Sequence, residues 1–304
     1  MIKKLVINLT IVVCTLFVLD YVIGKTLRYY YFKEKSGYHF LITYAMEREN
    51  ADVLVFGSSR ANHHYIPGVF EDSLKMSFYN TGYDGMGIFY QTAVLKSILK
   101  RYTPKVIILD FDGGFEKDDD SYDRMSLLLP YYRTHKEIRK IVEMKSRFEK
   151  IKLISEIYPF NSQIFTIAKG CFIPHQKIIE GDKGYVALYG EWSNDIAFQP
   201  YTIYELDTNK MNCFREFLNI AKRSVPNVVV VYSPIYLKFD KTQGLEICKS
   251  ICKSENIPYW DFSKEPIFCN NKHLFLHVVH LNNNGATIFS KIVSSKIKRE
   301  LHIH

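Results

Sequence analysis

Asp52-Val-Leu-Val-Phe-Gly57-Ser-Ser-Arg60 is the stretch of this 304-residue chain that decides its fold. It opens with a continuous apolar, β-branched run and ends in a glycine that is followed by two serines. Such a run is typical of a strand buried on both faces of a parallel sheet. The glycine and the serines then predict a sharp turn at the carboxyl end of that strand.

Three further runs of this kind follow along the chain: Ser77–Gly82, Lys105–Phe111 and Asn227–Ser233. Helical apolar patterns over about 86–102 and 210–224 lie between them. This alternation predicts an α/β fold, a doubly wound parallel sheet flanked by helices with right-handed crossovers. Because chemistry in such sheets gathers at the carboxyl ends of the strands, the turn after Gly57 becomes the first place to look for a site.

The stretch from about 116 to 201 fits the strand–helix alternation poorly. Its pattern predicts a largely helical insertion, or cap over the site, with one long helix over roughly 136–157. Aromatic residues crowd 185–192, where Trp192 either stacks on a sugar ring or belongs to the core of the cap.

The N-terminal segment from Leu5 to Ile23 is almost entirely apolar and follows two lysines. Its length suits a helix that spans a bilayer, and the tyrosines at 29–31 beside Arg28 indicate an interfacial belt. No small-x-small cleavage site follows, which favours an uncleaved anchor over the alternative, a cleaved signal peptide. We therefore expect an anchor over 1–28, a juxtamembrane linker over 29–50 and one domain over 51–304.

The formal net charge of +8 comes from basic residues spread along the whole chain. No RNA- or DNA-binding module accompanies them, so a surface close to anionic lipid is the expected partner and nucleic acid is not. Gly82, Gly85 and Gly87 lack the G-x-G-x-x-G pattern, and the histidines lack a metalloprotease motif. No cofactor and no metal are expected.

Two residues carry the chemistry that the sequence suggests. Ser59 stands on the turn after the first strand, where a serine hydroxyl is exposed beside backbone amides and can act as a nucleophile. His280 precedes the final helix, for which Asn282 or Asn283 is a natural N-cap. The alternatives are a structural Gly-Ser-Ser turn and a surface histidine. Arg60 either binds an anionic substrate group or braces the loop through a carboxylate.

Three segments, in this order, resemble signature blocks of the SGNH (GDSL) hydrolase superfamily. Gly57-Ser-Ser-Arg60 is similar to the first block, Asn80-Thr-Gly-Tyr-Asp-Gly85 to the second, and His280-Leu-Asn-Asn-Asn-Gly-Ala286 to the fifth. The resemblance implies that Ser59 is the nucleophile and His280 the general base. It also implies an oxyanion hole formed by the backbone amides of Ser59 and Gly85, with Arg60, Asn80 and His277 supporting the site.

The chain departs from the family pattern at two positions. The third block supplies an asparagine, whereas the third strand here runs into Asp110-Phe-Asp-Gly-Gly114. The family's acid lies three residues before the histidine, and that position is His277. An aspartate there orients the base and stabilises the imidazolium, whereas an imidazole brings no negative charge.

The resemblance is to membrane-anchored SGNH-like proteins of the bacterial cell envelope. It implies a serine esterase or O-acyltransferase that acts on an acylated envelope glycan or a similar ester, with its domain on the periplasmic or extracytoplasmic side. The alternative is a catalytically impaired SGNH-like module with a glycan-binding or envelope-assembly role, which His277 and the missing asparagine favour.

Overall fold

The structure is a computed structural model that describes residues 1–35, 37–111, 113–172, 182–193, 203–236 and 242–301. The chain divides into two compact units. Met1–Thr43 and Tyr122–Ile178 form the first, which we call the anchor unit. Tyr44–Ser121 and Ile179–His304 form the second, the sheet unit.

The sheet unit is built on a five-stranded parallel sheet. Its strands are β1 (Val53–Gly57), β2 (Phe78–Asn80), β3 (Val106–Asp110), β4 (Asn227–Tyr232) and β5 (Tyr259–Asp261), in the order β2-β1-β3-β4-β5. This is the order of flavodoxin-like doubly wound sheets. A two-stranded antiparallel pair, β6 (Phe275–His277) and β7 (His280–Leu281), lies outside that sheet. The four predicted strands are confirmed, whereas β5 and the β6–β7 pair carry no clear sequence signal.

Helices connect and cover the strands. The α-helices are α1 (Ile2–Lys33), α2 (Tyr38–Glu47), α3 (Ser59–His64), α4 (Pro67–Leu74), α5 (Ile88–Leu99), α6 (Asp119–Arg124), α7 (Arg139–Glu143), α8 (Glu149–Lys152), α9 (Ile164–Phe172), α10 (Thr208–Ser224), α11 (Gln243–Ser254), α12 (Pro266–Cys269) and α13 (Asn283–Glu300). Short 3-10 helices span Met125–Tyr131, Lys136–Ile138, Tyr158–Gln163 and Lys272–Leu274. The predicted helices near 86–102 and 210–224 correspond to α5 and α10.

Both faces of the sheet are covered, because successive side chains of a strand point to opposite sides. Val53 and Val55 share one buried cluster with Phe289 of α13. Phe56 points the other way and its ring lies 5.3 Å from that of Phe217 in α10. Helices α3 and α4 pack with α13, while α5 packs with α10. The α/β prediction is therefore confirmed, with helices on each face of a parallel sheet.

The anchor unit begins with α1, which is long and apolar enough to cross a membrane, and whose apolar window is not buried by the protein. A membrane anchor and a signal sequence share these properties. The helix runs through Lys33, and α2 follows at Tyr38, so the expected linker over 29–50 is largely helical. Tyr31 near the end of α1 is fully buried and its hydroxyl lies 3.2 Å from that of Tyr131.

The predicted long helix over 136–157 is wrong. This stretch forms a 3-10 turn and the two short helices α7 and α8, separated by a break at residues 144–148. In the break, Ser146 Oγ donates to Glu149 Oε2 at 2.9 Å, and the buried Glu149 also accepts from Tyr158 Oη at 2.6 Å. A local side-chain bond of this kind competes with helical backbone bonding.

Candidate active site

Ser59 opens α3 directly after β1. Gly57 makes the turn between them possible, because it adopts a φ of 150° and a Cβ there would lie 2.5 Å from Asp110 O and 2.7 Å from Ala61 Cβ. The carbonyl of Gly57 accepts from Gln91 Nε2 at 2.6 Å and from Tyr83 N at 3.1 Å. A glycine is therefore required where β1 passes against β3, and the turn that carries Ser59 is held from two sides.

Ser59 and His280 meet across the sheet unit, with Ser59 Oγ 2.7 Å from His280 Nε2. The histidine lies in β7, next to the N-cap of α13. That cap is Asn282, whose Oδ1 accepts from Gly285 N at 3.0 Å and whose Nδ2 donates to the carbonyls of Gly190 and His273 at 2.8 Å. The backbone beside His280 is thus fixed, and the two predicted catalytic residues are brought into hydrogen-bond contact.

His277, three residues before His280, makes no hydrogen bond to that histidine in the described part of the chain. His277 is exposed, and its ring centroid lies 6.0 Å from that of His280. Within the part of the chain that the structure describes, no group accepts a hydrogen bond from His280 Nδ1. Among the described residues, no carboxylate therefore bonds to His280 to fix its tautomer or to contact its imidazolium.

The pKa of His280 is lowered to about 4. Burial is the main cause of the lowered pKa and His63 is the next; Asp84 opposes them, and His277 and Arg60 add smaller lowering effects. At neutral pH the ring is uncharged and can accept the proton of Ser59. A base with so low a pKa takes that proton less readily than an ordinary histidine, because proton transfer is most efficient when the pKa lies near the working pH.

His63 is the cation beside this base. Its Nδ1 lies 2.7 Å from Val186 O and its Nε2 lies 3.2 Å from Asp84 Oδ2. Both partners are acceptors only, so both ring nitrogens donate when both bonds form and the ring is an imidazolium. Burial alone would lower the pKa of His63, but the bonds to Asp84 and to the Val186 carbonyl, with the charge of Asp84, raise it. The His63 ring centroid lies 5.5 Å from that of His280.

His64 has a structural role. It is fully buried, and its Nε2 accepts from Leu281 N at 3.0 Å while its Nδ1 lies 3.2 Å from Ser233 Oγ. Burial above all, then the charge of Arg60, lowers the pKa of His64 well below its ordinary value. A neutral His64 thus joins α3 to β7.

Among the described residues, no group of three or more histidine, cysteine or acidic side chains is arranged to hold a metal ion.

Arg60 pairs with a carboxylate of the protein, which is the second of the two roles expected for it. Its Nη2 lies 3.6 Å from Asp110 Oδ1, and its guanidinium lies 4.4 Å from the ring centroid of Tyr232. Tyr65 Oη also donates to Asp110 Oδ2 at 2.8 Å. Arg60 and Asp110 are both buried, so this ion pair ties α3 to the carboxyl end of β3.

Asn80 likewise supports the loops around the serine. Its Nδ2 donates to Ala61 O at 2.7 Å and to Tyr65 O at 3.2 Å, and its Oδ1 accepts from Gly82 N at 2.9 Å. All these groups are buried backbone atoms of α3 and of the loop after β2. Asn80 therefore holds α3 against the segment that leads to Gly85.

Gly85 lies in a tight turn, in which Met86 N donates to Tyr83 O at 3.0 Å and Gly85 has a φ of 72°. A positive φ at this position is typical of a type II turn and favours glycine. Gly85 lines a cavity of about 130 Å³ together with Gly57, Ser58, Gln91, Asp110, Gly114 and Lys210, among others. Asp112 of the predicted third block lies outside the described residues. The carboxamide at this cavity is Gln91, which the sequence did not single out.

Residues 182–193 of the predicted cap belong to the sheet unit and pack around the site. Besides Val186 with His63, Leu188 O accepts from Asn283 N at 2.7 Å and Trp192 N donates to Phe275 O at 2.7 Å. The Trp192 side chain is half-buried against the main core cluster. Sequence reasoning missed the contact of His63 with Asp84 and Val186, although His63 lies one helical turn after Ser59 and so on the same side of α3.

Comparison with known proteins adds no family, since no protein-family model and no curated protein matches this chain. Fold and site together define an α/β protein with a serine–histidine pair at the carboxyl end of a parallel sheet. Its function therefore rests on the geometry of that pair and of the residues around it.

Proposed function

We propose that this chain is a membrane-anchored serine esterase or O-acyltransferase of the SGNH type, with Ser59 as the nucleophile and His280 as the general base. The 2.7 Å contact between Ser59 Oγ and His280 Nε2 carries the proposal. A nucleophile and a base within hydrogen-bond reach of each other are two of the three groups typical of covalent acyl transfer, the third being the group that orients the base. The lowered pKa of His280 keeps the base neutral at physiological pH but weakens it as a proton acceptor.

The reaction has two steps. In the first, Ser59 Oγ attacks the acyl carbonyl while His280 Nε2 takes its proton, and collapse of the tetrahedral intermediate breaks the ester C–O bond. His280 returns the proton to the departing alcohol, which leaves an acyl group on Ser59. In the second step, water or a sugar hydroxyl attacks the acyl carbon while His280 Nε2 takes its proton. Collapse of the second tetrahedral intermediate breaks the bond between the acyl carbon and Ser59 Oγ, His280 returns the proton to Ser59 Oγ, and the carboxylic acid or the new sugar ester leaves.

The oxyanion that forms in each step needs preorganised donors. We assign this role to the backbone N–H groups of Ser59 and Gly85. Gly85 lines a cavity of about 130 Å³ with Gly57 and Ser58, the two residues before the nucleophile, whereas Ser59 and His280 do not line it. The family's third donor has no counterpart at Asp110, whose carboxylate pairs with Arg60 and Tyr65.

The missing acid sets the expected rate. In serine proteases, loss of the acid's charge lowers turnover by about 10⁴. The same loss at His277 predicts a slow enzyme that works with a Ser–His dyad. The His63 imidazolium beside His280 adds to the deficit, because a neighbouring cation disfavours protonation of the base.

The substrate class rests on the resemblance and on α1. An acyl ester carried by an envelope glycan, or a similar ester, fits an SGNH-type site on a membrane-tethered unit, with the sheet unit on the periplasmic or extracytoplasmic side. The apolar length of α1 supports the tether.

A catalytically impaired SGNH-like module that binds glycan or supports envelope assembly is the second candidate. One observation favours it: His277, in the position of the acid, is exposed and makes no hydrogen bond to His280 within the described part of the chain. In that case the cavity beside Gly85 binds its ligand without turning it over.

Hydrolysis of an aryl acetate by the full chain in detergent separates the two candidates. We expect wild type to turn the ester over and Ser59→Ala to fall to the uncatalysed rate. Ser58→Ala is the matched control, because Ser58 lies next to the nucleophile and its side chain makes no capping bond. Equal rates in wild type and Ser59→Ala overturn the enzymatic proposal and favour the binding module.

A further inference from the structure

The apolar helix α1 carries one carboxylate, and the anchor unit binds it. Asp20 Oδ1 accepts from Ser155 Oγ at 2.5 Å, and Asp20 Oδ2 accepts from Glu156 N at 2.7 Å. A charged side chain is costly in the hydrocarbon core, so the bilayer span ends near this residue. The turn at 155–157 therefore marks the level at which α1 leaves the membrane.

Gly24 brings the helix and this turn into the closest contact. A Cβ at Gly24 would lie 2.3 Å from the backbone carbon of Glu156. Lys25 Nζ lies 3.5 Å from Glu156 Oε1, and Arg133 Nη1 lies 3.1 Å from the same oxygen. About two turns further along α1, Tyr31 is buried in the anchor unit. Cleavage between Asp20 and Tyr31 would remove a built-in part of that unit, which favours a retained anchor.

Large apolar side chains are exposed on both sides of this turn in the sequence. Their exposed fractions are 50% for Phe148, 65% for Ile151, 66% for Ile154, 37% for Ile164 and 90% for Phe165. Ile154 directly precedes Ser155, and α9, which carries Ile164 and Phe165, packs against α1. So many exposed apolar residues in one short stretch are unusual for a surface that faces water only.

Cations accompany these apolar residues. The side chain of Lys150 is 71% exposed and pairs with Glu143, and that of Lys152 is 42% exposed and pairs with the buried Glu149. The Arg147 guanidinium lies 4.5 Å from the ring centroid of Phe148. Apolar groups mixed with lysine and arginine are typical of segments that lie in the interface of a bilayer with anionic lipids.

We propose that Phe148, Ile151, Ile154, Ile164 and Phe165 form a membrane-contact surface, which inserts into the headgroup region of the bilayer that α1 crosses. Arg147, Lys150 and Lys152 then face anionic headgroups. The continuity with α1 identifies the occupant, because the turn that binds Asp20 places this surface where the helix leaves the hydrocarbon. The anchor unit is thus seated on the membrane by a helix and by a surface. This inference is independent of the ester chemistry at Ser59.

Tryptophan variants of the full chain, reconstituted in phosphatidylcholine vesicles with brominated acyl chains, test this surface. The chain has two native tryptophans, both in the sheet unit, which supply a constant background. We expect the introduced tryptophan of F165W and of F148W to fluoresce at shorter wavelength than in water. We also expect bromine attached to the acyl chain near its headgroup end to quench that fluorescence. F17W, about one turn before Asp20 in the apolar part of α1, reports insertion of the helix. I203W, at a sheet-unit position that is 76% exposed, is the matched control.

Quenching of F165W and F148W without quenching of I203W supports the surface. Quenching of F17W alone overturns it, since the helix is then inserted while the surface stays in water. The absence of quenching in all four variants also overturns it. Addition of anionic phosphatidylglycerol to the vesicles tests whether the basic residues contact headgroups. We expect stronger quenching of F148W. Unchanged quenching contradicts the proposed role of Arg147, Lys150 and Lys152.

Discussion

Ser59 Oγ and His280 Nε2 lie 2.7 Å apart although 221 residues separate them along the chain. Two pieces of buried structure bring them together. His64, at the other end of α3 from Ser59, accepts a hydrogen bond from Leu281, the residue after His280. Ser290 of α13 donates to His64 O at 3.1 Å. The pair is therefore held by the packing of α3 against β7 and α13, independently of any substrate.

The first prediction concerns the pH at which esterase activity is lost on acidification. The general base must be neutral to accept a proton, so activity is lost as pH falls through its pKa. Because the pKa of His280 is lowered to about 4, kcat/KM for an aryl acetate should be flat across the weakly acidic range and fall only near that value. A limb at the ordinary histidine value of about 6.5 contradicts the desolvated environment of His280.

His277→Asp should raise the rate. A carboxylate three residues before His280 supplies the acceptor and the charge that the site lacks, with about 10⁴ in turnover as the upper limit. The acid limb should also move to higher pH, because a negative neighbour raises the pKa of the base. His277→Asn is the matched control, as it changes size without charge. Equal rates for both variants show that the missing acid does not limit this site.

Asp84→Asn should lower the pKa of His63. The variant removes the carboxylate that favours the charged ring, and burial then dominates. A histidine with a raised folded pKa stabilises the protein below its unfolded value of about 6.5, and this stabilisation is lost as pH rises through the folded pKa. The melting temperature of Asp84→Asn should therefore lie below that of wild type at mildly acidic pH and approach the wild-type value at alkaline pH. A difference that does not depend on pH contradicts the ion pair.

Gly57→Ala should destabilise the sheet unit. The added Cβ meets Asp110 O at 2.5 Å, and the positive φ alone costs roughly 1–3 kcal/mol for a side-chain-bearing residue. Gly68→Ala is the control, since a Cβ there meets nothing within 4 Å and replaces glycine inside a helix. Chemical denaturation measures both changes. A free energy of unfolding for Gly57→Ala equal to that of Gly68→Ala contradicts the close approach of β1 and β3.

The strands of this fold are readable from the sequence where burial is complete. β1 and β3 are buried along their whole length, and a continuous apolar run marks each of them. β5 comprises only the three residues Tyr259–Asp261 and its last residue is exposed, so the sequence contains no run of apolar residues that predicts this strand. The break between α7 and α8 rests on Glu149, whose partner Tyr158 is set by tertiary structure and not by local pattern.

The site was predictable to a similar extent. Ser59 and His280 follow from two local motifs in a particular order. The sequence does not predict which groups surround these two residues, because Asp84 lies on a separate loop that contacts His63 only in the folded protein. The role of Arg60 became clear from its burial beside Asp110, which spacing along the chain cannot show.

Covalent labelling tests the central claim most directly. Full-length protein in detergent is treated with a fluorophosphonate probe, and the modified residue is located by peptide mass spectrometry. We predict a single adduct on Ser59 that is abolished in Ser59→Ala and retained in Ser58→Ala. Labelling should be slowed in His280→Ala, because Ser59 Oγ attacks phosphorus faster when His280 takes its proton. Absence of an adduct on Ser59 in the folded wild-type protein, or equal labelling of Ser59 with and without His280, contradicts the account.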